Sequence, residues 1–203
     1  LQPTNGRYHL WADDNRPWCF CPECRWYTWP DQQLLFVNRL ARILRAADPR
    51  ARISHLAYKP CVEPPVRVRP EPNVFLEFAP IERDYRAPLG ADRTTRDAFY
   101  ARAARDGLAW FGRRDSTVCE YWLDVSMFSR WTRPVRRLDV PPAVLRGDLA
   151  FYRDAGFEQV SMFGAWLDAR YERRFGDAPL RQFQTAWRKI WAAAPSNQSR
   201  PSQ

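Results

Sequence analysis

The 203 residues carry 32 Lys and Arg against 23 Asp and Glu, a net charge of +9, with 45% hydrophobic and 15% aromatic residues. That is length enough for one domain with a real core, and the apolar runs are spread too evenly through it for disorder. No run approaches the roughly 18–20 apolar residues of a membrane span, and the first ten residues lack the apolar stretch of a signal peptide. Nucleic acid is disfavoured as a partner despite the charge. Apart from Lys59 and Lys189 the basic residues are arginines, scattered through every segment without a block of five like charges. A start at Leu1 and five cysteines leave the compartment open, cytoplasmic or exported.

In chain order, residues 8–11 (YHLW) read as a short buried strand that ends at Ala12 or Asp13, because Asp-Asp-Asn-Arg-Pro cannot continue it. Three cysteines follow within six positions, Cys19, Cys21 and Cys24. Residues 31–48 carry Leu34, Val37, Leu40, Ala41 and Leu44 at helical spacing, and Asp48-Pro49 ends that helix. Residues 51–58 (ARISHLAY) are a second strand. Residues 59–73 hold five prolines and form a stiff loop without a helix. Residues 73–81 (NVFLEFAPI) are a third strand, apolar on both faces.

Residues 94–112 are a helix with Thr94 as its N-cap and Gly112 as its stop. Residues 116–124 (STVCEYWLD) are the fourth strand, 126–140 a loop rich in arginine, and 141–155 a helix closed by Gly156. Residues 157–164 (FEQVSMFG) are the fifth strand. Two terminal helices, 166–175 and 179–193, are broken at Gly176. The domain spans 1–194, and 195–203 (PSNQSRPSQ) is a disordered polar tail.

Apolar strands alternating with helices indicate a parallel sheet with right-handed crossovers. Five strands are too few to close an eight-stranded barrel. The chain is therefore either an open α/β sheet or part of a (β/α)8 barrel. None of the eight glycines forms a phosphate-binding loop, which disfavours nucleotides.

The stretches HLWADDNRPWCFCPECR, FVNRLA, ISHLAYKP with a following PP, NVFLEFAPIERDY, CEYWLD and FYRDAGFEQVSMFG resemble, in that order, a bacterial family of domains of unknown function. That family is grouped with TIM-barrel glycoside hydrolases, near β-hexosaminidases and α-glucuronidases. The resemblance implies the C-terminal half of a (β/α)8 barrel, with strands four to eight present. Its N-terminal half, in a longer parent chain, is the implied partner.

Glycoside hydrolysis needs two carboxyl groups across the scissile bond, or one acid plus the substrate's own acetamido group. By the resemblance Asp14 matches the acid and Asp13 the orienting residue of an acidic pair at the end of barrel strand four. Aspartate is one methylene shorter than the glutamate usual there. Turn capping is the competing structural role for both.

Glu120 is the third catalytic candidate, since an acid in an apolar strand is either paired or catalytic. Glu77 lies mid-strand, and Glu82 and Asp124 near strand ends. Tyr58, Trp122, Phe163 and Trp166 end or follow strands, where aromatic platforms for sugar rings would sit and where core or barrel-rim roles compete equally, and Arg83 is a further substrate-binding candidate.

No cofactor is required for such chemistry. For the cysteines three readings compete: a structural zinc held by Cys19, Cys21, Cys24 and Cys61, one disulfide with a spare thiol, or free thiols. His9 and His55 read as core histidines. The expectation is a carbohydrate-active, glycoside-hydrolase-like barrel domain. The alternatives are a non-catalytic carbohydrate binder and a zinc-stabilised scaffold.

Overall fold

The computed structural model describes residues 6–12, 14, 18–91 and 94–192; Asp13 and the 195–203 tail lie outside them. One sheet of five parallel strands runs in chain order: β1 (Arg7–Tyr8), β2 (Arg52–Tyr58), β3 (Val74–Ala79), β4 (Thr117–Glu120) and β5 (Gln159–Met162). The central pairing runs from Ile53 opposite Val74 to Tyr58 opposite Ala79. Between the strands lie α1 (Trp29–Ala47), α2 (Thr95–Phe111), α3 (Val125–Phe128) and α4 (Pro142–Ala155); α5 (Ala169–Phe175) and α6 (Ala178–Trp187) follow β5.

Side-chain alternation fixes the architecture. Ile53 and Ala57 on β2, Val74, Leu76 and Phe78 on β3, and Val118 on β4 pack beneath α1, α2 and α4. The residues of opposite parity, Leu56, Tyr58, Ala79, Cys119 and Tyr121, form a separate cluster on the other face. All three crossover helices therefore cover one face of the sheet, which is the arrangement of a barrel rather than of a doubly wound sheet. The sheet is curled into a half barrel with helices outside it, a partial α/β TIM-type barrel.

Local chemistry sets the element ends. Thr28 and Asp31 form a capping box: the Thr28 hydroxyl accepts the Asp31 N–H at 3.3 Å and the Asp31 carboxylate accepts the Thr28 N–H at 3.1 Å. Helix α1 thus starts at Trp29, two residues before the expected Asp31. Thr94 caps α2 as expected, accepting the Asp97 N–H at 3.0 Å. Gly156 ends α4 in the left-handed region at φ +104°, where a side chain would be strained.

The first strand is shorter than the expected 8–11. After Tyr8 the Leu10 N–H donates to the Ser54 hydroxyl at 3.0 Å, and the chain leaves the ladder. The fourth strand stops at Glu120, and Asp124 then caps α3 by accepting the Met127 N–H at 3.0 Å; a loop was expected there.

The proline-rich connection from β2 to β3 has its anchor in Asp31. One carboxylate oxygen accepts the N–H groups of Val66, Arg67 and Val68 at 3.0, 2.8 and 2.9 Å. At the opposite, N-terminal end of the strands, Asp115 gathers Arg7 from β1 and Arg52 from β2.

Candidate functional site

The C-terminal ends of the strands surround a pocket of about 1120 Å³. Trp11, Tyr58, Tyr121 and Phe163 form an aromatic wall from the inner face. Tyr58 and Tyr121 lie 6.4 Å apart between ring centroids, Tyr121 and Phe163 5.5 Å. Trp11, after β1, meets Phe163, after β5, at 5.8 Å. The segments following the first and last strands thus come together across the mouth.

Polar groups on the pocket include Asp14, Lys59, Glu82, Arg96 and Asp124. Asp14 is exposed, and its carboxylate lies 3.3 Å from the Lys59 ammonium. Burial, reinforced by the nearby Asp14 charge, pushes the Tyr58 phenol above its usual range. Asp124 is tied up as the cap of α3. Glu82 is exposed on the rim, with Arg96 donating to its backbone carbonyl at 3.1 Å.

Glu120 takes a different place from the one expected. It has the outward parity of Val118, is fully buried, and does not line the pocket. Its carboxylate accepts Arg83 Nε at 2.9 Å, the Tyr152 hydroxyl at 2.5 Å and the Tyr121 N–H at 3.1 Å.

Asp148 on α4 takes the other end of the Arg83 guanidinium, and also the Trp122 indole N–H at 2.9 Å. Burial pushes the Glu120 carboxyl up to about 7 and raises Asp148, against the pull of Arg83. Two buried carboxylates facing one guanidinium retain a proton more readily than either would alone.

Arg83 and Trp122 are corrected in the same way. Arg83 borders the pocket, but its side chain is 0% exposed and its donors are directed to Glu120, Asp148 and the carbonyls of Asp84 and Ala87. Trp122 is 1% exposed, in the core beneath α4 and α6. Trp166 is half-buried against the Leu123 and Tyr171 cluster, with the Arg133 guanidinium 4.7 Å over its ring, and lies outside the pocket lining. Of the expected site residues with described positions, Asp14, Tyr58 and Phe163 open into the pocket.

On the inner face, His9 Nδ1 and Glu77 Oε2 are 2.9 Å apart. The hydrogen bond to Glu77 raises the His9 pKa above 6.5, burial opposing. His55 has the outward parity. It is fully buried, stacked at 4.8 Å on Phe111, and neither ring nitrogen has a hydrogen-bond partner among the described residues. Burial lowers its pKa to about 3, so the ring is neutral.

The sulfurs of Cys19, Cys21 and Cys24 all lie within 4.8 Å of one another. Cys61 is not in that group. It sits buried at the end of the 3-10 turn Lys59–Cys61, and burial pushes its thiol up to about 12, as it does that of Cys119. The expected fourth ligand is therefore absent from the cluster: the turn directs Cys61 into the packed interior.

The residues that sequence reasoning passed over are Trp11, Lys59, Arg96, Tyr121 and Trp131. For Tyr121 the signal was available, because alternation from the core residue Val118 places 119 and 121 on the inner face. For Trp131, on the loop after α3, no periodicity existed to carry one.

No curated protein and no solved structure matches the chain. A family model described as Domain of unknown function (DUF4838) matches residues 2–110, from before β1 through most of α2, and so takes in the cysteine turn, Asp14 and the first three strands. That span is more than half of the 203 residues, and the chain belongs to this family.

Proposed function

We propose that the chain is a carbohydrate-active, glycoside-hydrolase-like domain that acts at the pocket on the C-terminal side of its half barrel. The observation that carries this reading is the combination on one pocket of an aromatic wall with the exposed carboxylate of Asp14. A sugar ring has an apolar C–H face, which stacks on aromatic rings, and a hydroxyl edge, which wants carboxylates and cations. Trp11, Tyr58, Tyr121 and Phe163 meet the first need, and Asp14, Lys59 and Arg96 the second. Ligands of parallel α/β folds bind at this end of the strands. The resemblance to a family of domains of unknown function grouped with TIM-barrel glycoside hydrolases points the same way.

In this reading Asp14 serves as the general acid, with Asp13, outside the described residues, orienting the substrate. The second carboxyl is either the substrate's acetamido group acting in its place or Glu82, the other exposed acid on the pocket. Glu120, behind the sheet and paired with Arg83, keeps a structural role. No cofactor enters.

The test is hydrolysis of a panel of aryl glycosides by the longer parent protein and its variants. Asp14→Asn is expected to lose about 10²–10⁴-fold in turnover with sugar binding retained. Unchanged turnover in Asp14→Asn would remove the acid assignment, and in Glu82→Gln the role of Glu82 as second carboxyl. The Lys59 ammonium 3.3 Å from Asp14 favours a second reading, in which the ion pair engages sugar hydroxyls without transferring a proton. A non-catalytic binder would show sugar binding with no turnover by the parent protein.

A further inference from the structure

The cysteine turn lies between Asp14 and α1, and the carbohydrate reading leaves it unused. We propose that Cys19, Cys21 and Cys24 bind one zinc ion through three thiolates, with the fourth coordination position filled from solution. The inference is independent of what the pocket binds.

The geometry is already close to that of a metal site. All three sulfurs lie within 4.8 Å of one another. A tetrahedral zinc with bonds of about 2.3 Å needs sulfurs about 3.8 Å apart. The remaining closure is within reach of cysteine rotamers.

The backbone of the turn supports the same centre. The Cys24 N–H points at Cys21 Sγ at 3.4 Å, and the N–H groups of Cys24 and Arg25 both donate to the Cys21 carbonyl, at 3.1 and 3.0 Å. These contacts hold Cys21 and Cys24 together in one tight turn.

The turn is also held from outside. Gln32 on α1 accepts the Cys19 N–H at 2.9 Å, and its amide nitrogen donates to the carbonyls of Cys19, Cys24 and Tyr27 at 3.0, 3.3 and 3.4 Å. One helical side chain thus fixes both ends of the cysteine segment before any metal arrives, and Gln32 is a positioning residue for the site.

The ligand class follows from the donors. Three sulfurs and no oxygen select a soft cation over calcium or magnesium. Among the described residues no fourth His, Cys, Asp or Glu joins the group, and within them the site is open on one side. Cys19 is exposed and also lines a second cavity of about 730 Å³ with Phe20, Arg25, Trp29, Pro60 and Val66. A water or a small anionic ligand from solution completes the tetrahedron on that side. Each thiol gives its proton to solvent as its sulfur binds, so uptake releases up to three protons.

The experiment titrates the reduced chain with Co²⁺, whose sulfur-to-metal absorption counts thiolate ligands, and then displaces it with Zn²⁺. The expected result is one metal per chain, absorption of a three-thiolate site, and zinc by elemental analysis of protein purified without chelator. Cys19→Ser, Cys21→Ser and Cys24→Ser are each expected to weaken zinc binding by about 10²-fold or more, and Gln32→Ala by about 10–100-fold. Cys61→Ser is expected to leave it unchanged.

Because the wild-type spectrum counts the thiolates directly, misfolding of a variant leaves the proposal testable. It is overturned by no stoichiometric uptake, by a spectrum of one or two thiolates, by copper in place of zinc, by loss of uptake in Cys61→Ser, or by a mass two hydrogens short that shows a disulfide.

Discussion

Asp31 and His55 show how differently a buried polar residue can be accommodated. Burial alone would raise the Asp31 pKa, but N–H donors from Val68, Arg67 and Thr28 and the Thr28 hydroxyl overcome it and hold the carboxyl below 3.8. That stabilisation is present above pH 3.8 and is lost as the pH falls through the lower folded value. Asp31→Ala orphans three N–H groups of the proline-rich segment and the cap of α1 together, and is expected to cost on the order of 3 kcal/mol in urea unfolding. A cost below about 1 kcal/mol would mean that the loop needs no anchor.

His55 has no such compensation. Its folded pKa lies near 3 against an ordinary 6.5, so unfolding takes up a proton in that interval, and stability falls with falling pH by about 1.4 kcal/mol per unit. His55→Leu removes both unpaired nitrogens and is expected to flatten that slope by about one proton between about pH 6 and 4 while raising stability at neutral pH. An unchanged acid slope would place the proton uptake elsewhere. The histidine's core position was legible from its strand; its lack of a partner among the described residues was not, because that depends on Phe111 arriving from another element.

At the scale of elements, the Arg83 network joins the turn after β3 to β4 and α4. Arg83 meets Glu120 and Asp148, Tyr152 donates to Glu120, and Trp122 donates to Asp148. Removing the cation leaves two carboxylates fully buried without a counter-charge. Arg83→Met is expected to destabilise the chain by about 3–5 kcal/mol in urea unfolding, whereas Glu82→Gln, on the exposed rim, changes stability by less than about 0.5 kcal/mol. Equal effects would contradict the assignment of one acid to the core and the other to the pocket.

The same network explains where the sequence misled. Apolar runs and caps were enough to place the strands and every helix but α3 within a few residues, because those signals are local. Glu120 and Trp122 were chosen by residue type, yet both share the parity of Val118 and face the helices. Tyr121 between them faces the pocket. One step of alternation separates a core acid from a site acid.

The whole molecule is a curled sheet whose strands differ in how firmly they are held. Strands β2 and β3 pair over six positions, and every residue of β3 is buried. Strand β1 pairs at two positions along one edge, and β5 is half-buried at the other. Among the described residues neither edge strand has a second neighbour. Backbone protection follows pairing and burial, and local opening starts where both are thin.

Amide exchange followed by mass spectrometry is therefore expected to leave residues 53–58 and 74–79 open only through global unfolding, with exchange that tracks the urea dependence of the whole chain. Residues 7–10 and 159–162 are expected to exchange through smaller openings with weaker urea dependence. The aromatic contact of Trp11 with Phe163 links the two edges at the mouth, so Trp11→Ala should speed exchange at residues 159–162 as well as near residue 11. If 159–162 stay as protected as 74–79 in both proteins, β5 is part of the stable core, and the contact across the mouth does not couple the ends of the half barrel.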